Sequence, residues 1–163
     1  MCGEGQRCPS PTDLAGIINS MPNAPIIQRI ATKALIVNNR GHILILREAN
    51  TYTEGTNIGR YHLPGGRLEP GEAFLDGLAR EVGEETGLTI DIGKPLYVGE
   101  WRPVINGVPH QIVAIFFVCK ALSNVVALSP EHDDFKWVTP AQSKQYDIMA
   151  PDDLVIEEYA LCL

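Results

Sequence analysis

The chain changes character near residue 26. Ahead of it, residues 1–25 carry Pro9, Pro11, Pro22 and Pro25 around one short apolar stretch, Leu14 to Ile18. That is too little apolar surface to bury a face, so the leader reads as a partly disordered or peripheral arm. From Ile30 to Val37 apolar residues dominate and predict a strand. Asn38-Asn39-Arg40-Gly41 has turn chemistry, and His42 to Arg47 (HILILR) reads as the antiparallel partner. Glu48 to Arg60 is polar and without period, which predicts a surface loop, and Tyr61 to Leu63 then runs into a turn at Pro64-Gly65-Gly66.

The strongest helical window is Ala73 to Glu85. Phe74, Leu78 and Val82 recur at i, i+4 and i+8 with Leu75 beside them, Pro70-Gly71 marks the entry, and Gly87 sits where a helix end wants positive φ. Thr89 to Ile92, Leu96 to Arg102, Ile112 to Cys119 and Phe135 to Val138 read as further strands. Pro151-Asp152-Asp153 opens a terminal helix whose apolar side would hold Leu154, Ile156, Tyr159 and Ala160. This order predicts a single mixed α/β domain over residues 26–163, with helices covering a sheet.

Composition narrows the function. The chain is 163 residues long, 45% hydrophobic and 20% charged, with no apolar run of the roughly 20 residues a membrane-spanning helix needs. MCGEGQRCPSPTD lacks the layout of a secretory signal, so a cytoplasmic protein without membrane attachment is expected. A formal charge of −7 repels a phosphate backbone and disfavours nucleic acid as a partner. A small phosphorylated ligand stays open, because a bound cation inverts the local field. Cys2, Cys8, Cys119 and Cys162 show no CxxC spacing and read as free thiols.

The predicted helix is badly charged for its own stability. Glu81, Glu84 and Glu85 stand at i, i+3 and i+4 on one side. Like charges at that spacing repel, and the helix C-terminus disfavours anions. A locally broken rule of this kind points to function. Clustered carboxylates are what a hard divalent cation requires, against the plainer reading of a solvated acidic face.

The surrounding pattern decides between them. Gly66, five residues, Glu72, seven residues, Arg80-Glu81-Val82, one residue, Glu84-Glu85, one residue and Gly87-Leu88 form the complete pattern G-x5-E-x7-R-E-U-x-E-E-x-G-U, with U aliphatic. A chance match is of order one in ten million at average residue usage. The segment resembles the Nudix box at every position, and His62-Leu63-Pro64-Gly65-Gly66 is similar to the usual approach to it. The resemblance implies a Nudix-type α/β/α sandwich with a mixed sheet. It also implies metal-dependent hydrolysis, with Mg²⁺ or Mn²⁺, of a nucleoside diphosphate linked to another group.

By that resemblance Glu81 and Glu85 are metal ligands and the Gly65 carbonyl a third. Glu84 is either a further ligand or a carboxylate that handles the attacking water. Arg80 orients Glu81, and Glu72 is a carboxylate beyond the first ligands or one for a second metal ion. The general base is expected from a loop outside the box. Glu131 is the candidate, with His132, Asp133 and Asp134 as rivals in the same loop. His42, His62 and His110 read as ordinary strand or loop residues.

The leaving group is less legible. Pro103 lies sixteen residues past Gly87, a spacing that resembles ADP-ribose-hydrolysing members, and Trp101, Arg102 and Pro103 could hold a base and a phosphate. The compact chain equally resembles members that cleave nucleoside triphosphates. A nucleotide-sensing module without turnover is the alternative. Isoprenoid diphosphate isomerisation would need a catalytic cysteine, for which Cys119 is poorly placed. A homodimer, with the Pro-rich arm crossing a two-fold axis, stays open.

Overall fold

The computed structural model describes residues 26–51 and 58–163. The expected leader, with Cys2 and Cys8, and the centre of the predicted surface loop lie outside the described residues. Among the described residues, eight strands and three helices follow in the order β1 (Ile27–Val37), β2 (Ile43–Glu48), β3 (Tyr61–His62), β4 (Gly65–Arg67), α1 (Phe74–Thr86), β5 (Ile90–Trp101), β6 (Val104–Ile105), β7 (Val108–Ala121), β8 (His132–Val138), α2 (Pro140–Ser143) and α3 (Asp152–Leu161).

The sheet is mixed, with a main path β3-β2-β1-β7-β5 and with β4 on β1, β6 on β7 and β8 on β2. β1 and β7 run parallel in unbroken register from Ile27↔His110 to Val37↔Lys120. Period-two alternation then sends side chains to two separate cores. Ala31 and Leu35 of β1, Ile43 and Ile45 of β2 and Phe116 of β7 pack with Val155 and Ile156 of α3. Ala34, Ile36, Leu44, Leu46 and Phe117 pack with Leu78 and Val82 of α1. Leu78 and Val82 are fully buried, each contributing about 1.5–3 kcal/mol, and they lock α1 onto the sheet in one rotation. Helices on opposite faces of a mixed sheet make the α/β/α sandwich that the box implied.

Several expectations are corrected. β1 begins at Ile27, before the predicted Ile30, because β7 pairs with it from its first residue. The β1–β2 hairpin is closed only at Val37↔Ile43. Past that point β1 takes β7 and β4 as partners, and β2 takes β8. The two strands expected over 89–92 and 96–102 are one strand, β5, with register shifts around Pro95, where the ladder loses a donor. In α1, Phe74 is half exposed and stacks on Phe117 with centroids 6.1 Å apart, and Leu75 is exposed. In α3 the buried pair is Val155 and Ile156, while Leu154 and Ala160 face solvent. Gly87 does close α1 in the left-handed region (φ 66°), its N–H donating to the Gly83 carbonyl. No helix among the described residues is long and apolar enough to cross a membrane.

Candidate active site

The site is assembled from three separate segments. The Gly65-Gly66 segment is stitched antiparallel to β1 through Thr32↔Gly66 and Lys33↔Gly65. This brings it beside the acidic side of α1. A Cβ on Gly65 would strike the Thr32 carbonyl oxygen, and its φ of 119° suits glycine alone. A Cβ on Gly66 would lie 2.5 Å from Oε2 of Glu81. The second glycine is thus the cradle in which the Glu81 carboxylate lies. Gly66→Ala should displace that flexible carboxylate at little cost in stability. It should lower kcat by about 100-fold, the scale of a misplacement near 1 Å. Urea denaturation beside steady-state kinetics checks both halves.

Arg80 organises the other carboxylates. Its Nε and Nη2 donate to Oε1 and Oε2 of Glu72 at 2.8 and 3.0 Å, and its Nη1 donates to Glu81 and Glu84, both at 3.0 Å. The expected Arg80–Glu81 pair is present, but the two-pronged partner is Glu72. Arg80 holds the Glu72 carboxyl down to about 2, with help from the Glu69 N–H. Glu85, buried, accepts the Gly65 N–H at 2.7 Å. Burial pushes its carboxyl up to about 8 against the pull of Gly65 and Lys33, and burial also raises Glu81.

The third segment carries Glu131. Ala127 N–H donates to the Thr86 carbonyl at 2.8 Å and Ser129 N–H to the Glu85 carbonyl at 3.1 Å, satisfying carbonyls left open at the end of α1. The loop ahead of β8 is thereby pinned over the helix end. Glu131 reaches the wall of a cavity of about 850 Å³ that Glu72, Arg80, Glu81, Glu84 and Glu85 also line. Arg29 and Arg67 line it too. Of the rivals, Asp133 pairs with Arg47 at 2.6 Å and Asp134 with Lys136 and the Tyr61 hydroxyl at 2.8 and 2.7 Å.

Trp101, Arg102 and Pro103 are not brought to this cavity. Lys33 Nζ stands 5.9 Å from the centre of the Trp101 ring, Arg102 pairs with Glu100 at 3.1 Å, and the Pro103 carbonyl accepts the His110 N–H at 2.8 Å. Cys119 is a buried thiol raised to about 12 by burial, and Cys162 is free and exposed. Sequence reasoning missed His132 as a neighbour of Glu85 with His62 against it, and Lys33 with Asp152 as a buried ion pair at 2.7 Å. Lys33 gave a signal, a cation inside the apolar run of β1, which neither period nor motif ranks, whereas His132 and Asp152 lie in polar segments that gave none.

The donor set fits a hard cation. Two carboxylates, Glu81 and Glu85, are costly to ionise in this burial without a positive partner. Among the described residues no three His, Cys, Asp or Glu side chains converge as a complete metal cage. Mg²⁺ asks for no such cage, since it takes one or two carboxylates and keeps waters and substrate oxygens. A pH test follows for metal-free protein. Below about 6.5 the buried imidazoles, lowered in the fold, and Glu85, raised in it, act in opposite directions. Between about 6.5 and 8 Glu85 sets the sign: the folded chain keeps a proton that the unfolded chain has lost, and buried Asp152, also raised by burial, acts in the same direction. Stability should therefore fall as pH rises through that window, by about 2 kcal/mol, and Mg²⁺ should restore it. Urea midpoints at pH 6.5 and 8.0 with and without Mg²⁺ measure this; a rising midpoint in chelator would refute it.

A glycine-cradled, arginine-braced glutamate cluster on the helix of an α/β/α sandwich defines a Nudix hydrolase. The family model of the NUDIX domain matches residues 27–159, and the chain belongs to that family. It is 32% identical over 117 residues to a MutT-like protein of Streptomyces ambofaciens, covering 72% of this chain and 68% of that one. It is 28% identical over 123 residues to the nucleoside triphosphatase NudI of Escherichia fergusonii, covering 69% of this chain and 84% of the relative. Among solved structures, the MutT protein of Methanosarcina mazei Go1 superposes with a TM-score of 0.73 at 30% identity, over 83% of this chain and 95% of that one.

Proposed function

We propose that this chain hydrolyses the diphosphate bond of a nucleoside triphosphate by water attack on phosphorus, with Mg²⁺, or Mn²⁺ in its place, held by Glu81, Glu85 and the Gly65 carbonyl. The observation that carries the reading is the convergence of Glu81, Glu84, Glu85 and Glu131 on one cavity that also presents Arg29 and Arg67. A bound cation there neutralises charge on phosphoryl oxygens and acidifies a water.

The remaining work falls to side chains. Glu131 accepts the proton of the attacking water, with Glu84 beside it as a further ligand or a second proton acceptor. Arg80 keeps Glu81 and Glu84 in place while Glu72 braces Arg80. Arg29 and Arg67 face the phosphates that the carboxylates would otherwise repel. The new P–O bond forms to the water oxygen, the P–O bond to the leaving group breaks, and monophosphate and pyrophosphate result.

The NudI relative, named as a nucleoside triphosphatase, supports a triphosphate. The Pro103 spacing supports a second reading, a nucleotide sugar such as ADP-ribose, on which Trp101, Arg102 and Pro103 bind substrate. Product analysis on common triphosphates, an oxidised triphosphate, ADP-ribose and other nucleotide sugars, in Mg²⁺ and in chelator, tests both. Monophosphate and pyrophosphate from a triphosphate supports the first reading, and AMP with ribose 5-phosphate the second. Binding without metal-dependent turnover of any compound overturns both in favour of a nucleotide-sensing module.

A further inference from the structure

Among the described residues Glu85 is anchored through one oxygen only. Oε2 accepts the Gly65 N–H at 2.7 Å, while Oε1 lies 3.8 Å from Nε2 of His132. His132 stands against His62, the two Nε2 atoms 2.9 Å apart. Neither ring has a part in the chemistry above, and both are buried.

The direction of the hydrogen bonds follows from the ends of the chain. A carbonyl oxygen only accepts, so Nδ1 of His62, 2.9 Å from the Leu63 carbonyl, carries a hydrogen. The other nitrogen of a neutral ring is bare, so Nε2 of His62 accepts, and the hydrogen between the rings sits on Nε2 of His132. Nδ1 of His132 then accepts from the Ser129 hydroxyl at 3.2 Å. Burial, with Lys33 nearby, lowers both imidazoles, His132 to about 4, in keeping with neutral rings. Every ring hydrogen is committed, and none is left for Glu85.

We propose that His62 and His132 are positioning residues for Glu85: a tautomer-locked pair that spends its hydrogens on Leu63 and on itself, leaving the Oε1 lone pairs of Glu85 to a cation. The usual neighbour of a metal ligand donates a hydrogen bond to it or accepts one from it. Here His62 does the reverse at one remove, drawing away the His132 hydrogen that would compete with the metal for Oε1. The cation comes from the hydrolase reading, and the inference rests on that reading to this extent.

Two measurements on the full chain test it. Two-bond ¹H–¹⁵N imidazole spectra of metal-free wild-type protein near neutral pH should show His62 protonated at Nδ1 and His132 at Nε2. A His132 hydrogen on Nδ1, or on both nitrogens, overturns the proposal. Mn²⁺ titrations followed by electron paramagnetic resonance should show the dissociation constant of His62→Leu raised by about tenfold or more, and His62→Gln, whose carbonyl oxygen can accept again, recovering most of the loss. His62→Leu binding Mn²⁺ as tightly as wild type overturns the proposal, and should that variant fail to fold, the wild-type spectrum decides alone. Wild-type protein with the expected tautomers but no Mn²⁺ binding overturns the cation site of the hydrolase reading and this role with it. Mn²⁺ binding with inverted tautomers overturns the histidine pair only.

Discussion

Glu85→Gln should lower kcat by several orders of magnitude while leaving the fold intact. The substitution conserves shape, and an amide oxygen can still accept the Gly65 N–H that Oε2 accepts now at 2.7 Å. What is lost is the anion, and with it the proposed ligand that burial makes most dependent on a cation. A thousandfold fall corresponds to about 4 kcal/mol of transition-state stabilisation. The same physics fixes a second sign. Because burial pushes the wild-type carboxyl up to about 8, ionising it is a cost that glutamine does not bear. Above pH 8 in chelator the variant should therefore be at least as stable as wild type, and Mg²⁺ should stabilise it far less. Kinetics at saturating Mg²⁺ together with thermal melts in Mg²⁺ and chelator give both readouts. Wild-type turnover in the variant would remove Glu85 from the metal site, and a large loss of metal-free stability would make its role structural.

Asp152→Ala should destabilise the domain by about 3–5 kcal/mol. Asp152 is fully buried, and its Oδ2 accepts both from Lys33 Nζ at 2.7 Å and from the Leu63 N–H at 2.7 Å. Alanine there leaves a buried ammonium and a buried N–H without their acceptor, the situation that makes breaking a buried pair far costlier than the pair's net worth. An exposed pair such as Arg60–Asp147, with side chains 40% and 71% accessible, contributes at most about 1 kcal/mol. Against the 5–15 kcal/mol typical of a domain, the Asp152 loss is a large fraction. Asp152→Leu alone should lose as much, whereas Lys33→Met combined with Asp152→Leu removes both charges and should recover most of it, so that wild type, Lys33→Met, Asp152→Leu and the double variant form a strongly non-additive cycle. Urea unfolding of the four proteins measures the coupling; additive losses would show that the two charges do not interact. Since Leu63 lies two residues ahead of Gly65, Asp152→Ala should also weaken Mg²⁺ binding in the molecules that remain folded.

The parts of the site that could be read in advance share one property: their geometry is local. Helical spacing puts Glu81, Glu84 and Glu85 on one side of α1, and their placement at its anion-disfavouring end needs no tertiary information. Gly87 as the helix stop is local in the same sense. The Asn106-Gly107 turn between β6 and β7, with φ of 51° and 77°, is a local signal too, and the sequence reading passed over it. What could not be read involves partners far apart in the chain. The strand Ile30 to Val37 does pair with its neighbour across the turn, at Val37↔Ile43, but most of its length lies between β7 and β4, because a parallel partner some eighty residues away leaves no trace in either strand's periodicity. Trp101 and Arg102, on and just after β5, do not line the carboxylate cavity, because which side chains reach it depends on strand pairing that their own segment does not record.

By itself the sequence determined the family and the side chains that bear charge, since each follows from spacing along one segment, and through the family resemblance it implied the two-layer covering of a mixed sheet. Only the tertiary structure decided the environment of those charges. It folded the loop of Glu131 over the end of α1 and set His132 beside Glu85 with His62 against it. It also buried Lys33 against Asp152 behind the Gly65 turn. The reason is physical: a carboxylate's type and interval are written in the chain, whereas its desolvation and its hydrogen-bond partners depend on which distant segments close over it.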